Sequence, residues 1–178
     1  MNTLAHQRIA VGEVEPEGYR ALAGSWIERT GDRLCPELEE LNPFEVPALV
    51  GSIVLFDIDG EDIRYRLAGE HAMRELGRDI VGKRLADALR DPDYSALVFA
   101  ILDFARREPA PYLVQHRFRR PADGLTIGTR RLVLPYGRDG EVRRLQTYML
   151  FEDGLRELRP GDVDITTVLT TAMIRIVP

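Results

Sequence analysis

The chain has 178 residues, of which 44% are hydrophobic and 30% charged, enough to bury the core of one domain with extra segments at its ends and too apolar for a disordered chain. A formal net charge of −5 gives no general attraction for phosphate backbones, so nucleic acid is not an expected partner despite the local cluster Arg117, Arg119 and Arg120. A single cysteine, Cys35, excludes an internal disulfide and a multi-cysteine zinc site, and with no apolar run of membrane-spanning length and no signal-peptide pattern the expected setting is cytoplasmic.

After a mixed leader, "PEGYRALAGSWIERTG" repeats Tyr19, Leu22, Ala23, Trp26 and Ile27 at helical spacing before Gly31, which predicts an amphipathic helix. "NPFEVPALVG" predicts a short helix, with Asn42 as cap, Pro43 in the first turn and Gly51 as stop. "SIVLFDID" and "EDIRYRLAG", joined by Asp59 and Gly60, predict a β-hairpin. A helix over residues 70 to 76, a turn over 77 to 82 and a short helix around "KRLADAL" follow. The strongest helix signal is "DPDYSALVFAILDFARRE", where Asp91 caps, Pro92 starts, and Tyr94, Leu97, Val98, Ile101 and Ala105 share one face. Three strands come next, "YLVQHRFR", "TIGTRRLVLP" and "EVRRLQTYMLFE", separated by "PADG" and "GRDG". For "GDVDITTVLTTAMIRIVP" the mixture of threonine and β-branched residues leaves both helix and strand open.

The order predicts an α+β domain: a five-stranded antiparallel sheet with helices on one face and an N-terminal capping helix. Both parities of the strands carry apolar residues, so the second sheet face also needs cover, from the Trp26 helix or from a second subunit. The expected divisions are a leader and amphipathic helix over 1–39, the main domain over 40–152 and a C-terminal extension over 153–178.

The element order, together with "NPFEVPALVGSIVLFDI", "YRLAG", "GRDIVGK" and "RRLVLP", resembles PAS domains, and more closely a bacterial family of stand-alone PAS-like proteins common in alphaproteobacteria. The resemblance spans about residues 40 to 152. The chain departs from that family at Glu70, where a small hydroxyl residue is usual, and at Tyr136 and Gly137, where a more open, serine-bearing turn is expected. The resemblance implies a sensory or regulatory module that binds a small molecule between sheet and helices, or a partner protein, or both. Haem and flavin are not expected: the long helix has no histidine, and Cys35 precedes the domain. No cofactor or metal is therefore anticipated.

Candidate pocket residues are Tyr65, Arg66, His71, Met73, Ile101 and His116. The two histidines are the groups best able to meet a ligand, but neither has an acidic partner at a fixed spacing that would make it a general base, so no enzymatic activity is expected. A small enzyme using a cavity histidine is the least favoured alternative. Arg66 is expected to pair with Asp57 across the hairpin or to reach a bound carboxylate. Tyr19, Leu22, Trp26 and Ile27 are the candidate interface. With no kinase, cyclase or DNA-binding segment in view, the output is expected to pass to a signalling partner protein, and the chain to form a homodimer. A purely structural dimerisation module without ligand is the main alternative.

Overall fold

The computed structural model of the chain describes residues 7–76, 80–89, 92–119, 124–151 and 168–178. The expected turn residues 77–79 and the cap at Asp91 lie outside the described residues. Among the described residues seven strands form one sheet: β1 (Gln7–Ala10), β2 (Ile53–Asp59), β3 (Asp62–Ala68), β4 (Tyr112–Arg119), β5 (Thr126–Arg138), β6 (Glu141–Phe151) and β7 (Val168–Val177). The α-helices described with them are α1 (Glu17–Thr30), α2 (Glu70–Leu76), α3 (Leu85–Ala88) and α4 (Pro92–Arg107).

The strand order is β1-β7-β4-β5-β6-β2-β3. The five expected strands are a contiguous antiparallel block from β4 to β3, but the sheet is larger than expected and mixed. β7 adds to the outer edge of β4 in antiparallel register, Val114 opposite Met173 and His116 opposite Thr171, and β1 then runs parallel to β7. The C-terminal stretch, ambiguous by composition, is thus a strand over its described part, because its β-branched residues fit the open ladder of β4. The five-strand expectation is corrected accordingly.

Local chemistry explains the connections. Gly60, at φ +62°, turns β2 into β3 through a two-residue loop between Asp59 and Asp62. Asp139 and Gly140, both at positive φ, turn β5 into β6 in the same way, with Arg138 opposite Glu141. The segment from Asn42 does not form the expected helix from Pro43. Asn42 instead accepts the Phe44 amide at its side-chain oxygen (3.0 Å), a local turn that competes with helix, and a 3₁₀ helix follows over Pro47–Ser52.

The two sheet faces have different covers. Rings on α4 meet alternate residues of β4, Tyr94 against His116 and Phe104 against Tyr112, so that parity of β4 faces the helix. On the opposite face, α1 buries Tyr19, Leu22, Ala23 and Trp26. The Trp26 indole donates to the Pro135 carbonyl at 2.6 Å, and the Tyr19 hydroxyl reaches the carbonyls of Tyr148 at 2.8 Å and Arg130 at 3.0 Å. Around them lie Leu132, Leu134, Tyr136 and Tyr148, all fully buried or nearly so.

Candidate functional site

Tyr65 is buried on β3 with its ring tilted against Phe56. Ile101 is buried on α4 within the hydrophobic core, and His116 is buried mid-strand on β4. Arg66, His71 and Met73 are exposed. Arg66 falls where the register of β2 and β3 slips, so its side chain points outward and stands only 3.9 Å from Asp57. The closer partner of Asp57 is Arg144, directly opposite on β6, at 2.6 Å. His71 lies over Gly51, where a Cβ would stand 2.9 Å from the imidazole, and thereby seats α2 on the Pro47–Ser52 segment. The candidate interface residues Tyr19, Leu22 and Trp26 are buried against the chain's own sheet, and Ile27 is half-buried. Their apolar surface is already covered within one chain.

The two sheet-facing elements that bring polar groups together are β4 and β5. His116 sits opposite Thr129 on β5 and opposite Thr171 on β7, and Arg131 sits opposite Val114. Residues directly paired in an antiparallel ladder share a face, so His116, Arg131, Thr129 and Thr171 all lie on the side covered by α4. His116 and Arg131 are diagonal neighbours on adjacent strands. His116 is 3% exposed; its Nδ1 is 3.1 Å from the Thr171 hydroxyl, while its Nε2 is buried with no hydrogen-bond partner among the described residues. Arg131 is half-buried: its Nε is also buried and unpartnered, and its Nη2 meets the sulfur of Met149 at 3.4 Å. No carboxylate among the described residues pairs with Arg131.

Electrostatics follow from that placement. Burial first, and the Arg131 charge second, push His116 down to about 3, so the imidazole is neutral at physiological pH. If Nδ1 accepts the Thr171 hydroxyl proton, Nε2 carries the hydrogen and is a donor. Each buried unpartnered group costs about 1–3 kcal/mol, a penalty that packing elsewhere must offset. Chemically, the pair offers one cation and one neutral donor on a shielded surface. That arrangement suits binding, since no described carboxylate is placed to make His116 a base.

His116 was among the candidates the sequence offered; Arg131, Thr129 and Thr171, which the sheet places beside it, were not. A signal was present for Arg131, the one charged residue in a β5 parity that runs Ile127, Thr129, Arg131, Val133. What could not be read was the register that sets it beside His116.

Elsewhere, a groove of about 430 Å³ runs along α3 and α4, lined by Leu85, Leu89, Pro92, Ser95 and Phe99 among others. It carries no charged anchor. Among the described residues there is no grouping of side chains able to hold a metal ion, and no helix long and apolar enough to cross a membrane.

Comparison with known proteins places this architecture. A family model described as a PAS domain matches residues 14–150. The chain belongs to the PAS domain family. Membership places it among sensory and regulatory domains. Similar solved structures include the PAS domain of BvgS from Bordetella pertussis, 18% identical, covering 56% of this chain and 75% of that one with a TM-score of 0.45. The LOV protein of Rhodobacter sphaeroides is 17% identical over 59% of this chain and 61% of its own, TM-score 0.44. The PAS domain of an HTR-like protein from Haloarcula marismortui is 16% identical over 56% and 84%, TM-score 0.33. No curated protein matches the chain.

Proposed function

We propose that this PAS domain is a ligand-responsive regulatory module: a small molecule binds between the sheet and α4, and the response passes to a partner protein. One observation carries the reading. A family of sensory domains supplies the frame, and within it this chain keeps His116 buried against the helix-facing side of the sheet with a polar atom that no described residue satisfies. Ligand binding there acts on both strand β4 and helix α4, and a ligand that prefers one arrangement of these elements shifts the population of both. The sheet transmits that shift to α1 on the other face, through the Trp26 and Tyr19 hydrogen bonds to β5 and β6 carbonyls. The reading is of binding without turnover.

The test is amide hydrogen exchange of the purified protein with and without compounds that raise its Tm in a mixed metabolite panel. A stabilising compound should slow exchange in α4 and β4 and alter it in α1. Stabilisation with exchange changes confined to surface loops would remove the proposed site. A protein that no compound stabilises would favour the alternative of a structural interaction module with a filled core.

A further inference from the structure

The polar groups left over beneath α4 have a chemistry that narrows what they would bind. Arg131 is a cation without a described anionic partner, and its Nε is buried and unpartnered. His116, diagonal to it across β4 and β5, directs a buried and unpartnered Nε2 onto the same face while Thr171 holds its other nitrogen. A guanidinium edge presents two parallel N–H donors, the geometry that a carboxylate fills with both oxygens. The charge count is one: a single arginine beside a neutral imidazole balances a monoanion and would leave a phosphate dianion undercompensated in a desolvated place. The surroundings supply an apolar wall. Between the Tyr94 and Phe104 ring contacts that seat α4 over β4, the helix buries Val98 and Ile101, and β4 buries Val114.

We infer that Arg131 and His116 are the recognition end of a site for a small organic acid, whose carboxylate accepts from the Arg131 guanidinium and the His116 Nε2–H while its apolar body packs against α4. This rests on the ligand-responsive reading above and goes further in naming the ligand class and the residues that select it.

The experiment is a thermal-shift and calorimetric titration of the full chain with monocarboxylates from acetate to octanoate, benzoate and indole-3-acetate. Each acid is paired with its primary amide. Wild type, Arg131→Met and His116→Asn are compared, after circular dichroism confirms that each variant folds. At least one acid should stabilise wild type and bind about tenfold or more tightly than its amide, the advantage expected of a charge-assisted pair. Arg131→Met should abolish that preference while its own unliganded Tm stays equal or rises, since an uncompensated cation is gone. His116→Asn should weaken acid binding with the acid-over-amide preference retained. An independent reading uses wild type alone: the bound acid should move the His116 Nε2 resonance in a nitrogen-detected NMR spectrum. Equal binding of acid and amide, or an acid preference that survives Arg131→Met, overturns the inference and leaves ligand sensing standing. Stabilisation by none of the acids, when neutral metabolites do stabilise, has the same meaning. Stabilisation by no compound of any kind overturns both readings.

Discussion

Gly69 tolerates no side chain, because a Cβ there would fall against the Gly51 carbonyl and within 2.7 Å of the Val50 oxygen, both backbone atoms that cannot swing aside. Gly69→Ala should therefore cost about 1–3 kcal/mol, the usual penalty for overpacking. Gly12→Ala, where a Cβ meets nothing within 4 Å, is the control and should stay within about 0.5 kcal/mol. Urea denaturation of the two variants checks this; equal stabilities would deny the close approach. His116 makes a second residue-scale prediction. Its folded value of about 3 lies below the ordinary histidine value, so the unfolded chain binds a proton that the native chain refuses as pH falls below about 6.5. The contribution is fully present above that pH and is lost downward at about 1.4 kcal/mol per unit. The groups facing His116 are Arg131, Thr171 and Tyr94, and Arg131 deepens the effect. His116→Asn, which does not titrate, should gain about 2 kcal/mol on wild type between pH 7 and pH 5 in paired denaturation curves. A constant difference across that range would place His116 in a solvated setting.

At the scale of elements, α1 is the clearest case of a segment whose local pattern and tertiary role agree. Its buried residues Tyr19, Leu22, Ala23 and Trp26 recur at three- and four-residue intervals and join the core, Tyr19 and Trp26 bonding to the sheet. Trp26 combines a large buried ring with a hydrogen bond to Pro135. Trp26→Ala should cost about 3–5 kcal/mol, whereas Trp26→Phe, which keeps most of the apolar area and leaves the Pro135 carbonyl short of this donor, should cost about 1–3 kcal/mol. Denaturant midpoints separate the two. If both variants lose equally little, α1 is not the cover of this face. Deleting residues 1–35 outright should expose that face and change the solution size of the protein, measured by light scattering. By contrast, the short helix expected from Pro43 yielded to the Asn42 side-chain turn, a competition between two local hydrogen-bonding choices that propensity alone does not rank.

At the scale of the molecule, β7 is the element that makes the sheet larger than the five strands legible as a hairpin and a meander. It fills the β4 edge, buries Met173 and Ile176, brings Thr171 to His116 and gives β1 a parallel ladder. A chain ending at Phe151 should therefore present an open β4 edge, and gel filtration should show aggregation or a larger species. A monodisperse product with unchanged Tm would mean that the β3 to β4 block is complete by itself. The family match stops at residue 150, short of this strand, so nothing in the family pattern announces it.

Elements that depend on neighbours along the chain were legible in its residue pattern: the α1 and α4 faces, the Gly60 and Asp139–Gly140 turns, the β2–β3 hairpin, and the family pattern in "YRLAG" and "RRLVLP". Periodicity and turn chemistry are local, so they survive without knowledge of the fold. Which residues become partners was settled by the three-dimensional pairing of strands and helices. It gave Asp57 to Arg144 more closely than to Arg66, left His71 at the surface over Gly51, and set Arg131 beside His116. The reason is register: a strand's own sequence says which residues share a face, but the partner strand and the slip between them come from long-range pairing that no local pattern encodes.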